Sequence, residues 1–204
     1  MQLETFKCRA SAAGKLMTNP RNKTEILSET TKSYVKEWMK SQIYGYKKEI
    51  TSKEMNKGII FEDTAIDKAI ECLDLPFAIK NEHRFEDEFF TGEPDLLLQD
   101  EVIDIKNSWD CFTFPLFENE IPTDDYFYQV QVYMYLTGKT KARVVYVLLE
   151  TPETYNQPAM SYDHVDTKYR IKEFRFDFQP EIIEKLKERV ITIRKYINEL
   201  SSKI

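Results

Sequence analysis

The chain has 204 residues, of which 42% are hydrophobic and 31% charged, with five glycines, eight prolines and a formal net charge of −6. That length suits one domain with a substantial core, and the composition excludes low-complexity, collagenous and intrinsically disordered classes. A net negative charge argues on its face against nucleic acid, yet residues 1–57 carry 12 Lys and Arg against 6 Asp and Glu, while the remainder carries 17 against 29. A basic N-terminal third on an acidic body suits a basic track beside an acidic pocket; solvated helix faces are the plainer reading of the same lysines.

In chain order, residues 24–47 read as a helix, because Leu27, Tyr34, Val35, Trp38, Met39 and Ile43 recur every three to four positions. A second helix is expected from Ser52, a good cap, to Leu73, with Pro76 just beyond. Its apolar side is Ile59, Ile60, Ala65, Ile66, Ala69 and Ile70. Gly58 inside it costs about 1 kcal/mol relative to Ala, which points to close backbone approach. Residues 79–90 alternate charged and apolar around His83-Arg84-Phe85, as a strand does. Asp95 to Leu98 and Val102 to Lys106 form a hairpin turning at Gln99-Asp100-Glu101. Residues 107–122 read as a loop holding Trp109, Phe112, Phe114 and Phe117. These aromatics either pack beneath that loop or stack on unpaired bases. Thr123-Asp124-Asp125 starts a helix over 126–137 that Gly138 stops. Arg143 to Leu149 is a buried strand and Tyr169 to Phe176 a partly exposed one. Pro180 opens a long amphipathic helix with Ile183, Leu186, Val190, Ile193, Ile197 and Leu200 on one face, either core or a subunit contact. The order α, α, β, β, β, α, β, β, α predicts an α/β (α+β) fold, a mixed sheet of about five strands flanked by helices.

The chemistry concentrates in Gly92-Glu93-Pro94-Asp95 and Asp104-Ile105-Lys106. Side chains alternate along a strand, so Asp104 and Lys106 share a face, and Asp95 on the adjacent strand can reach it. Charges within an otherwise apolar hairpin need compensation. Two Asp carboxylates and a main-chain carbonyl suit Mg2+. Such an ion lowers the pKa of a bound water and polarises a phosphate, and Lys106 would orient that water or stabilise charge in the transition state. Glu62, on the preceding helix, could add a third carboxylate. Gln129 and Tyr133, four apart, share a helix face with Tyr126; an amide or phenol there can meet a water or phosphate oxygen. The competing readings are a rim of Asp–Lys pairs, a solvated Glu62 and an aromatic core face with a peripheral Gln.

Asp95 followed by Asp104-Ile105-Lys106 resembles the PD-(D/E)XK nuclease superfamily. With Glu62 upstream, and Tyr126-Phe127-Tyr128-Gln129-Val130-Gln131 followed by Leu136-Thr137-Gly138, the chain is similar to the lambda-exonuclease/YqaJ-type viral recombinase branch. The similarity spans about residues 9–150 and is strongest over 58–138. It implies a restriction-endonuclease-like core, with Glu62, Asp95, Asp104 and the Ile105 carbonyl around Mg2+ (Mn2+ as a substitute), Lys106 as the catalytic lysine and Gln129 as the helix glutamine of the active site. Cys8-Arg9-Ala10-Ser11 is similar to that branch's Arg…Ala-Ser opening segment, which implies DNA contacts from Arg9 and Ser11. The chain would then be a single domain: a basic helical portion at 1–57, a catalytic core at 58–150, and a final strand and helix at 168–204.

The activity so implied is resection of linear duplex ends, 5′ to 3′, in phage-type recombination, with a single-strand annealing protein as partner and a ring of subunits. Two alternatives stand beside it: a structure- or site-specific endonuclease of the same superfamily, and a non-catalytic DNA- or protein-binding module. The longest apolar run, Val144 to Leu149, is too short to span a bilayer, and Met1-Gln2-Leu3-Glu4 shows no apolar signal region. Cys8, Cys72 and Cys111 form no CxxC pair, so neither a disulfide framework nor an iron–sulfur site is expected, and the natural compartment is the reducing cytoplasm. His83 and His164 have no partner at metal-ligand spacing.

Overall fold

A computed structural model describes residues 3–22, 24–46, 52–75 and 77–204. Its elements in chain order are β1 (Cys8–Arg9), α1 (Ala13–Met17), α2 (Glu29–Tyr44), α3 (Lys53–Ile60), α4 (Glu62–Cys72), β2 (Phe85–Glu86), β3 (Phe90–Gly92), β4 (Leu96–Leu97), β5 (Glu101–Asn107), α5 (Asp124–Thr137), β6 (Lys141–Val147), β7 (Ile171–Asp177) and α6 (Pro180–Ser201). The expected mixed sheet divides in two among the described residues: four strands in the order β4-β5-β6-β7 and three short ones in the order β1-β3-β2.

The larger sheet positions everything that follows. β5 and β6 run parallel and are joined through α5, while β4 and β7 pair antiparallel on the outer sides. Alternation assigns one face to Val102, Ala142, Val144, Tyr146 and Phe174, which pack with α5, α6 and the N-terminal helices. Ile103, Val145 and Val147 face the other way, onto Ala65, Ile66 and Ala69 of α4. Apolar residues on both faces of a central parallel pair are what helices on both sides require. α6 lays Ile183, Leu186, Val190, Ile193 and Ile197 into the first cluster, so its stripe is core.

The local stop and start signals act as expected at several ends. Ser28, Ser52 and Thr123 accept hydrogen bonds from the first turns of α2, α3 and α5. Gly138 closes α5 in the left-handed conformation at φ 69°, which costs glycine no Cβ clash. The hairpin of β4 and β5 forms in the expected register, with Leu96 opposite Ile103.

Four expectations are corrected. The helix expected over 52–73 breaks at Phe61 into α3 and α4, and Pro76 lies outside the described residues. The break changes the helical phase, so Ile59 and Ile60 are 70% and 72% exposed rather than core. Residues 79–90 supply only the short strands β2 and β3 and one isolated bridge, Lys80 to Leu96. Gly58 meets no backbone: a Cβ there would find nothing within 4 Å. Gly58→Ala should therefore stabilise the protein by about 0.5–1 kcal/mol, the helix-propensity difference, read as a higher midpoint in urea unfolding; a lower midpoint would contradict the open space around it.

Candidate active site

The site is built where β5 passes beneath α5. Asp104 belongs to the strand face that packs on α5 and is 2% exposed. Its Oδ1 accepts a 3.1 Å hydrogen bond from Gln129 Nε2. Its Oδ2 is ion-paired with Lys106 Nζ at 2.7 Å and meets no other donor among the described residues. Lys106, two residues on, points the same way; its ammonium stands 4.5 Å over the Tyr126 ring and donates to Gln129 Oε1 at 3.5 Å. Gln129 Nε2 also donates to the Tyr133 hydroxyl at 2.8 Å. Both amide hydrogens are thus spent, and the carbonyl end is turned to the lysine.

Asp95 closes the site from β4's side. Its Oδ2 accepts from the Ile105 amide at 2.5 Å. Leu96 pairs with Ile103, so backbone groups of odd-numbered β5 residues face β4, and the Ile105 carbonyl opens on the side of its amide, past β4's last paired residue. Burial, then the neighbouring Asp104 charge, pushes the Asp95 carboxyl up to about 7; the Ile105 amide and Lys106 act against this, and Glu62 adds to it. Asp104 and its hydrogen-bonded lysine show the converse: burial opposes the Lys106 charge, but Asp104 overcomes it and holds the ammonium above its usual range. Burial and the Asp104 charge likewise raise the Tyr133 phenol well above its ordinary value.

The glycine before Pro94 has a direct cause. A Cβ on Gly92 would lie 2.7 Å from Cε1 of Tyr133 and 3.1 Å from the Ala10 Cβ. Only glycine lets the strand pass between the tyrosine that holds Gln129 and the N-terminal segment.

Asp95, Asp104, Lys106 and Gln129 therefore come together as the spacing implied. Glu62 opens α4, near enough to influence Asp95, but its carboxylate is held by Lys80 at 2.6 Å. Among the described residues, no three His, Cys, Asp or Glu side chains are gathered into a metal-binding cluster. Arg9 is exposed and sits opposite Thr91, one residue before Gly92; Ser11 is exposed in the following 3-10 turn. Tyr126 lies under Lys106. Tyr133, expected to offer its hydroxyl to DNA, is 5% exposed with that hydroxyl engaged by Gln129; its helix face turns into the core. Trp109 and Phe114 are buried beneath their loop, whereas Phe112 is exposed. His83 and His164 are exposed.

The donor set fits a hard divalent cation. Asp95 and Asp104 offer carboxylate oxygens, the Ile105 carbonyl faces the same edge, and the buried Asp104 Oδ2, met only by Lys106, keeps a lone pair that an ion could take.

Sequence reading missed Lys57. It is 1% exposed, and its ammonium donates to the carbonyls of Ser108, Trp109 and Leu149 at 2.8, 2.9 and 2.9 Å. Burial pulls it down to about 8, against the nearby charges of Asp110 and Glu150. It ties α3 to the exits of β5 and β6.

A sheet with helices on both faces, presenting two acids and a lysine from a β-hairpin, defines a nuclease fold. Two comparisons with solved structures agree. The chain matches a phage-related exonuclease from Haemophilus somnus with 30% identity and a TM-score of 0.86, over 98% of this chain and 97% of that one. It matches the fold of an alkaline exonuclease from Laribacter hongkongensis, solved also in complex with dAMP, with 18% identity and a TM-score of 0.69 over 97% and 94%. Neither a protein-family model nor a curated protein matches. The chain belongs to the phage-related exonucleases of the PD-(D/E)XK superfamily, in the lambda-exonuclease branch. No described helix is long and apolar enough to cross a membrane.

Two outcomes follow from the site's electrostatics. Asp95 binds its proton more tightly folded than unfolded, so its contribution to stability is present at low pH and lost as pH rises through about 7. In metal-free buffer, Asp95→Asn, which keeps an acceptor for the Ile105 amide, should stabilise the protein by roughly 1–3 kcal/mol at pH 8 and by little at pH 5; equal gains at both, in thermal unfolding, would contradict the raised carboxyl. Lys57→Met removes the ammonium from the Ser108 and Leu149 carbonyls, while Trp109 keeps the Thr151 hydroxyl, and should cost roughly 2–4 kcal/mol, read from the urea midpoint.

Proposed function

We propose that this protein is a Mg2+-dependent exonuclease that hydrolyses phosphodiester bonds at the ends of linear duplex DNA, 5′ to 3′, in phage-type recombination. The observation that carries the reading is the buried Asp104, held by Lys106 and Gln129 on one face and set beside Asp95. Asp95, Asp104 and the Ile105 carbonyl would hold the ion, with Glu62 as a further carboxylate. When bound, such an ion supplies Lewis acidity toward a phosphate oxygen and a more acidic water.

The chain's own groups do the rest. Lys106 places a positive charge at the site's inner wall, where it can hold a water and offset the charge that grows on the phosphate. Asp104, the Gln129 carbonyl and the Tyr126 ring fix that ammonium from three sides. The water oxygen bonds to phosphorus, the P–O3′ bond breaks and the leaving oxygen takes up a proton, so a deoxynucleoside 5′-monophosphate is released. Arg9 and Ser11, exposed beside β3, and Tyr126 would meet the DNA. Assembly into a ring and cooperation with a single-strand annealing protein belong to the same proposal.

The test is incubation with end-labelled linear duplex and with closed circular duplex, with and without Mg2+. Linear DNA should be degraded only with Mg2+, and Lys106→Ala and Asp104→Asn should each slow it about a hundredfold or more while remaining folded. Both variants at wild-type rate would overturn the site; cutting of closed circles would move the reading to an endonuclease.

A further inference from the structure

The carboxylate that the site lacks is the one another side chain is holding. Lys80 Nζ lies 2.6 Å from Glu62 Oε1 and 2.8 Å from Asp63 Oδ1. Its backbone is not loose. Lys80 bridges to Leu96, the Asn81 amide donates to the Asp95 carbonyl at 2.8 Å, and the Asn81 side chain donates to the carbonyls of Pro94 and His83, both at 2.9 Å. The main chain beside Asp95 thus anchors the lysine, while its tip reaches across to the start of α4. The side chains of Lys80 and Glu62 remain 38% and 48% exposed, so the pair sits on the rim and can part without opening the core.

We infer that Lys80 is a positioning residue that stands in for the metal at Glu62 and competes with it. The inference rests on the reading of Glu62 as a metal ligand. With Lys80 in place, the Glu62 charge is neutralised by the ammonium. For the ion to gain this third carboxylate, Glu62 must leave the lysine. Asp63 makes that exchange cheap, since it keeps one partner on the ammonium throughout. An ion pair this exposed is weak and screened by solvent, so Glu62 can leave it readily. The cost appears as weaker metal binding, and the lysine that Glu62 vacates is left beside the site with a charge suited to a phosphate oxygen.

The experiment is Mn2+ titration by calorimetry, without DNA, on the full chain and three variants: Lys80→Met, Glu62→Gln and the double variant. Lys80→Met should bind Mn2+ about three- to tenfold more tightly, and the gain should shrink to under twofold when Glu62 is already Gln. Tightening that persists undiminished in the double variant would show only a general charge effect and overturn the inference. So would unchanged or weaker binding by Lys80→Met while Glu62→Gln still weakens binding. If instead Glu62→Gln leaves Mn2+ affinity unaltered, or no variant binds Mn2+ at all, the ligand reading of Glu62 itself fails and the inference falls with it.

Discussion

The structure turns on one buried carboxylate. Asp104 sits in the middle of a strand whose neighbours, Val102 and Ile103, are fully buried, and an isolated charge there would be prohibitively costly. It is tolerated because Lys106 and Gln129 meet it from the same strand and from the helix overhead. Those two contacts impose the remaining geometry. Gln129 must be one turn from Tyr133, whose hydroxyl orients the amide; Tyr133 must pack on a residue without a Cβ; and that residue, Gly92, ends β3 three residues before Asp95.

Asp95 is compensated far less well. It has one backbone amide and a nearby acid, and its carboxyl is accordingly shifted toward the neutral form. Placing a poorly compensated acid beside a well-compensated one is destabilising for the fold, and a cation bound there would offset that cost.

The parts of this design that were legible in sequence are those written locally. Alternation over Val102 to Lys106 places Asp104 and Lys106 on one face, and the four-residue interval between Gln129 and Tyr133 puts them on one helix side. Thr123 and Gly138 mark the ends of α5 by backbone chemistry alone. What was not legible depends on partners remote in the chain. Lys57 is buried by carbonyls 51, 52 and 92 residues away, and no local pattern announces them. The same tie explains why α3 turns Ile59 and Ile60 outward, against its apparent periodicity. Lys80 lies in a segment whose alternation suggested a continuous strand, but only one bridge forms beside Leu96, leaving its side chain to be claimed by α4.

The crossover from β5 through α5 to β6 has a consequence for how this architecture can diversify. Asp104, Lys106, Gln129 and Tyr133 all fall on one contiguous β-α-β stretch, stitched to itself by the parallel pairing of Asp104 with Val144. Arg9, Glu62 and Lys80 arrive from separate pieces of chain and touch that stretch only at its margin. Insertions or replacements in the pieces that carry Arg9 and Lys80 leave the contacts among these four residues unchanged.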